Sequence, residues 1–163
     1  MKLPARFWEP KTALFWIALL RVMMGLVFLT TWVNNIIEGL YTPDGLVRFF
    51  TVVFPQSENP LVWYSAFING VILPARAAFG PFQMVTELVM GLALLVGFLT
   101  PLFSLAGIFF LFNTFLATFG QDWYWAYLMP IAVLLVVLLS RAGRSAGVDS
   151  WLSRRYGDRG WLW

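Results

Sequence analysis

The run PLFSLAGIFFLFNTFLATF, residues 101–119, holds nineteen consecutive residues without a charge. Crossing a hydrocarbon layer about 30 Å thick takes about 20 helical residues, so this run has the length and polarity of a membrane span. A membrane strand would alternate apolar and polar residues over about 10 positions, and this run does not alternate. Pro101 fits the first turn of the helix, where its missing N–H costs nothing. Upstream, residues 81–99 form a second run that contains Glu87. Downstream, Gly120-Gln121-Asp122 makes a polar turn, and residues 123–140 form a further uncharged run that stops at Arg141. The first run of the chain, residues 12–37, contains Arg21 and closes on Asn34, Asn35 and Glu38.

Composition agrees. Of 163 residues, 60% are hydrophobic and 12% charged, against roughly 45–50% and 25% in an average soluble domain. Mean hydropathy is +0.76. This balance excludes a disordered chain and a nucleic-acid-binding protein and leaves an integral membrane protein of one domain. The chain has no Cys, which removes disulfides, iron–sulfur clusters, thiolate zinc sites and persulfide carriers. It has no His, which removes the usual haem ligation, Ser-His triads and imidazole metal sites. No metal and no covalent cofactor is expected.

Two shorter segments lie between the first and second spans. Residues 61–73 are apolar but too few to cross, are interrupted by Asn69-Gly70 and end at Pro74 near Arg76, which predicts a re-entrant or interfacial helix. Residues 46–54, flanked by Pro43 and Pro55 and carrying Arg48, are expected on the membrane surface with their Phe and Val side chains among the headgroups. The expected architecture is therefore an all-α bundle of four transmembrane helices, with an interfacial or re-entrant segment between spans one and two and a basic tail over 141–163.

Charge sets direction. Lys2, Arg6 and Lys11 precede the first span, and Arg141, Arg144, Arg154, Arg155 and Arg159 follow the last. Basic loops stay cytoplasmic, so both ends are expected inside a prokaryotic inner membrane, which requires an even number of crossings. Five would export the arginine-rich tail. The N-terminal run is interrupted by Arg21 and lacks a small-x-small cleavage pattern, so it is expected to stay as the first span. Trp8 and Trp16 on one side, and Trp32, Trp63, Trp123 and Trp125 on the other, read as belt anchors, with Trp151 by the last basic loop. Trp161 and Trp163 admit two readings, resting on the bilayer or docking on another subunit. The Gly143/Gly147 pair reads as a turn and not a dimer motif.

Inside the spans, Arg21 lies nine residues in from residue 12, about 14 Å from the inner surface. Glu87 lies about 9 Å and Asn113 about 12 Å below the outer one, measured along their helices. Neither charge can face lipid cheaply. Gly25 follows Arg21 by four residues and Gly91 follows Glu87 by four, so each glycine shares its charge's helix face and lets another backbone come close. Arg21 and Glu87 are thus expected to face each other with Asn113 nearby. Two readings stay open: a structural ion pair that sets helix register, or a functional pocket that also takes in Gln83, Tyr124 and Tyr127 on the outer side. For Asn113 alone the plainer reading is an interhelical hydrogen bond.

The chain resembles the DoxX/DoxD family over about residues 12–155. The resemblance rests on Arg21 with Gly25, on Glu87-x-x-x-Gly91-x-x-Leu94-Leu95-x-Gly97-x-x-Thr100, and on Gly143-Arg144-x-x-Gly147-x-Asp149-x-x-Leu152 after a Tyr-containing fourth span. It implies a small four-helix membrane protein, similar to the large membrane subunit of thiosulfate:quinone oxidoreductase, and other members sit in oxidative-stress complexes with a sulfurtransferase. It implies quinone-linked chemistry, with quinone as the cofactor and other membrane or membrane-associated subunits as partners beside the lipid bilayer. On that reading Arg21, Asn113, Tyr124 and Tyr127 are donors to a quinone or small oxyanion in the outer half of the bundle, and Glu87 exchanges a proton. A non-catalytic assembly or scaffold subunit of a bioenergetic complex is the second reading. A small transporter ranks last, because no broken span or inverted repeat is visible.

Overall fold

The computed structural model describes residues 10–157, with side chains from residue 15. Lys2, Arg6, Trp8, Arg159, Trp161 and Trp163 lie outside the described residues, as does the side chain of Lys11. The long elements are α1 (Pro10–Ile37), α4 (Arg76–Val96), α5 (Thr100–Ala117) and α6 (Trp125–Ser140). Between α1 and α4 run α2 (Pro43–Arg48), which continues as a π-helical turn (Phe49–Val53), and α3 (Val62–Phe67), which continues as another (Ile68–Ile72). After α6 come α7 (Gly143–Ala146) and α8 (Val148–Tyr156). The chain is a multi-pass membrane protein: Phe15–Ile37, Arg76–Val96 and Thr100–Ala117 are each long and apolar enough to cross, while α6 is two residues shorter than α5. About a third or less of each of these three windows is buried within the chain. The outward residues are apolar, among them Phe15, Met23, Val85, Leu92, Phe109 and Leu139. Such a surface belongs against lipid or other protein, since isolated soluble chains keep their apolar patches small.

The α1–α4 seam is tight because both helices present glycine there. A Cβ on Gly25 would fall 2.7 Å from the Leu95 nitrogen and 3.0 Å from the Gly91 carbonyl oxygen. Gly91 in turn receives the Leu29 side chain. The close approach expected at these two glycines is present, and it fixes the antiparallel register of the two helices. Below the seam Met24, Phe28, Met90, Leu94 and Leu134 form one core, and Gly107 of α5 admits Leu134 and the Phe28 ring.

The ends of the elements follow from local chemistry. Thr42 caps α2 by accepting the Gly45 N–H, with Pro43 in the first turn. α4 starts at Arg76, one turn before the expected boundary, and takes Pro81 into its interior. A proline at the sixth position forfeits a single hydrogen bond, that of its missing N–H. Pro130 sits at the same position of α6. α4 ends early, at Val96, where Gly97 takes φ +71° and turns the chain. Leu99 then adopts φ +46°, a conformation that costs a residue with a Cβ about 1–3 kcal/mol unless something holds it.

The segment between α1 and α4 forms a cap on one end of the bundle. Leu46, Phe50, Tyr64, Ile68 and Ile72 pack with Ala117 at the end of α5. This corrects the expectation that residues 46–54 spread their apolar side chains into the headgroups. Leu46 and Phe50 turn inward, and Val52 and Val53 face out. The reason is periodicity: Leu46 and Phe50 stand at i and i+4, on one helical face. The apolar helix Val62–Ile72 has eleven residues, about 16 Å, and is too short to cross. Asn69 and Gly70 lie within its π turn and do not break it. Trp32 is half-buried with its Nε1 buried and without a protein partner, whereas Trp16, Trp63, Trp123, Trp125 and Trp151 are half or more exposed.

Candidate functional site

At the capped end, Glu87 of α4 is 1% exposed. Its Oε1 accepts Gln83 Nε2 at 2.9 Å from one turn earlier. Its Oε2 accepts the Tyr41 hydroxyl at 2.7 Å and Asn35 Nδ2 at 3.1 Å. Asn35 comes from the last turn of α1 and Tyr41 from the loop that follows. Gly80 positions Tyr41, since a Cβ there would run into the Tyr41 carbonyl. Burial, and then the adjacent carboxylate, push the Tyr41 hydroxyl above its ordinary range, so it stays a donor. None of the three groups bonded to Glu87 carries a positive charge.

At the opposite end, Arg21 of α1 is also 1% exposed. Nη2 donates to the Ala146 carbonyl at 2.8 Å. The guanidinium lies in a slot made by Gly97 and Gly147, where a Cβ on either would collide with Nη1. Its electrostatic partner is Asp149 of α8. Asp149 is fully buried, and its two oxygens accept the Leu99 and Thr100 N–H groups at 2.7 and 2.8 Å. Its own N–H donates to the Gly97 carbonyl at 2.9 Å. The acid thus caps α5 and holds Leu99 in its left-handed conformation, while Gly143 leaves room for the carboxylate beside Thr100. Arg21 Nε and Nη1 and the Thr100 and Ser104 hydroxyls are buried without protein partners. A cavity of about 130 Å³ lies beside Arg21, lined by Phe15, Ala18, Leu19, Val22 and Ala146.

These two clusters overturn the expected Arg21–Glu87 pair. Glu87 is level with Asn35, fourteen residues beyond Arg21 on α1, which is roughly 20 Å along the axis. No side chain closes that gap. Depths counted from each helix's own end ignored the register set at Gly25 and Gly91. Asn113 joins neither charge: its Nδ2 donates to Phe109 O, and its carbonyl and Oδ1 both accept from the Tyr64 hydroxyl at 3.0 Å. That is the interhelical hydrogen bond of the plainer reading, tying α5 to the cap. Burial pushes the Tyr64 hydroxyl up to about 12. Tyr127 donates to Asp122 at 2.6 Å, and Tyr124 stacks on Phe119. Of the six residues singled out in the sequence, Glu87 comes together with Gln83, and Tyr124 with Tyr127 around Phe115, while Arg21 and Asn113 stand apart from both pairs. Tyr41 was missed, and the arginines around Asp149 obscured its role as a buried acid.

The family described as TQO small subunit DoxD matches residues 16–163. The chain belongs to the DoxD family. That description names a small subunit, where the resemblance had implied the large one. No curated protein and no solved structure matches the chain. The two clusters of this DoxD chain coincide with the segments that carried the resemblance: Arg21 and Gly97 with the Gly147-x-Asp149 turn at one end, Glu87 at the other.

Proposed function

We propose that this DoxD chain is the four-crossing membrane subunit of a quinone-linked oxidoreductase in a prokaryotic inner membrane, with Glu87 as its proton-exchanging group. Support comes chiefly from one observation, the fully buried Glu87 carboxyl held by three uncharged donors. A carboxylate without a bonded cation is stabilised by hydrogen bonds alone, so gaining or losing a proton changes its energy less than it would in an ion pair. Reducing a quinone takes two electrons and two protons. With neither Cys nor His, this chain holds no evident electron relay, and the electrons would come from a partner subunit. Near the capped end, a cavity of about 140 Å³ is lined by Leu40, Phe49, Val53 and Phe54 with Glu38 and Arg48. Its size suits one ring, its phenyl groups supply apolar walls, and Arg48 supplies a donor for a carbonyl oxygen. Quinone, when bound, supplies the two-electron chemistry.

The fourth crossing is supported by α6, which runs antiparallel along α5. Phe115 meets Tyr124 and Tyr127 at one end, and Gly107 meets Leu134 midway. The chain lacks Cys, so single-Cys variants report topology. Reagents confined to the outside should modify Ser57→Cys and miss Ser145→Cys, and the reverse pattern would sink the topology. For the chemistry, Glu87→Gln in the intact complex should lower quinone turnover about 100-fold while the protein still accumulates in the membrane. Wild-type turnover in that variant excludes the proton role. In that case the second reading, a non-catalytic assembly subunit, gains. It is favoured by the filled core around Leu94 and Leu134 and by cavities well under the roughly 300 Å³ of a typical cofactor pocket.

A further inference from the structure

We propose that α8 is a docking helix for anionic lipid headgroups, held by Asp149 at the bilayer boundary with its basic, tryptophan-bearing face outward. Its level comes first. Asp149 bonds Gly97, Leu99 and Thr100, where α4 ends and α5 begins, so α8 lies at the end of the spans and cannot drift into the aqueous phase without breaking those bonds. The neighbouring surface is apolar: Phe98 beside Gly97 is 40% exposed, and Leu139 in the last turn of α6 is 75% exposed.

The outward face comes next. Val148, Trp151 and Arg155 stand at i, i+3 and i+7, one stripe of a helix, and Arg154 flanks it. All four are exposed, while Asp149, the acid of α8, is buried on the opposite side. The free face therefore pairs an indole and a valine with two guanidinium groups. Water alone gives no use for the first two, and a hydrocarbon environment gives none for the last two. A negatively charged headgroup layer uses all four, the apolar pair entering the acyl boundary and the arginines meeting phosphates. An acidic protein surface is the competing occupant. The continuity of this face with the apolar exterior of α6 favours lipid.

The inference uses the crossing reading only for the level of the leaflet and does not depend on quinone. Labelling at Ser57→Cys and Ser145→Cys tests the crossing reading separately. A nitroxide on Val148→Cys leaves Trp151 and both arginines in place. In nanodiscs, its collisions with an aqueous nickel chelate should fall on going from phosphatidylcholine to a mixture with phosphatidylglycerol, since each engaged arginine favours the docked state about fivefold. Arg154→Gln/Arg155→Gln should abolish that fall. Independently of any label, the unmodified protein should unfold at a higher temperature in the anionic discs, and the double variant should not. Equal accessibility in both bilayers overturns the proposal, as does a fall that survives the double variant. Shielding that appears only when partner subunits are added to neutral discs also overturns it and assigns the face to protein.

Discussion

The two ends of the bundle both bury charge and treat it in opposite ways: Arg21 and Asp149 lie at one end and Glu87 alone at the other. Arg21 is held by backbone: a carbonyl, two glycines and an acid that itself grips two backbone N–H groups. Glu87 is held by side chains: a tyrosine, an asparagine and a glutamine. Backbone contacts vanish only if the fold opens, whereas side-chain donors can turn away while the fold stays intact. The Arg21 end therefore reads as architecture, and the Glu87 end as the place where chemistry can occur. That contrast replaces the single central pair expected from the sequence.

The largest blow to the contrast should come from Asp149→Ala. It removes the acid that attracts Arg21, uncaps α5 and releases Leu99, and each buried N–H left without its acceptor costs about 1–3 kcal/mol. Thermal unfolding in detergent should show little or no folded protein, and a stable variant would demote the Arg21 cluster. Gly97→Ala should cost about 1–3 kcal/mol from its φ of +71°, plus a clash with the guanidinium. Adding Arg21→Met should relieve only the guanidinium part, because the same Cβ would still lie 2.8 Å from the Gly147 Cα. At the other end, Tyr41→Phe should cost only about 1 kcal/mol, one neutral donor lost to a group that keeps two others. A loss as large as that of Asp149→Ala would mean that the Glu87 cluster is architecture too. The smallest effect is the sharpest: Arg21→Met and Glu87→Gln should add within about 0.5 kcal/mol in a double-mutant cycle, because residues this far apart do not couple. A coupling above that would restore a link between the two ends.

Much of this fold was legible because apolar runs and basic ends need no tertiary information. The three long helices and the α6 run appear within a few residues of where composition places them, and Gly25 and Gly91 were legible as contact points. The misplaced start of α4 came from reading Pro81 as a boundary, although a proline early in a helix removes only one bond. The site was less legible, because depth is a relation between helices. Register is set at the Gly25–Gly91 seam, and no count along one helix contains it. Tyr41 reaches Glu87 only because the cap folds back onto Gly80, and Asp149 is an acid among arginines whose burial depends on a turn fifty residues upstream. The spacing Gly143-x-x-x-Gly147-x-Asp149 was the available signal, two small residues leaving room for one acid.

Leu99 carries a consequence for the order of assembly. Its left-handed backbone is secured by a carboxylate fifty positions later in the chain. Synthesis makes the hairpin of α4 and α5 before that carboxylate exists, so its connecting turn can gain these two bonds only after α8 has followed. A lesion near residue 149 therefore strikes a hairpin made long before, and a short helix translated well after it acts as the clasp of α1, α4 and α5.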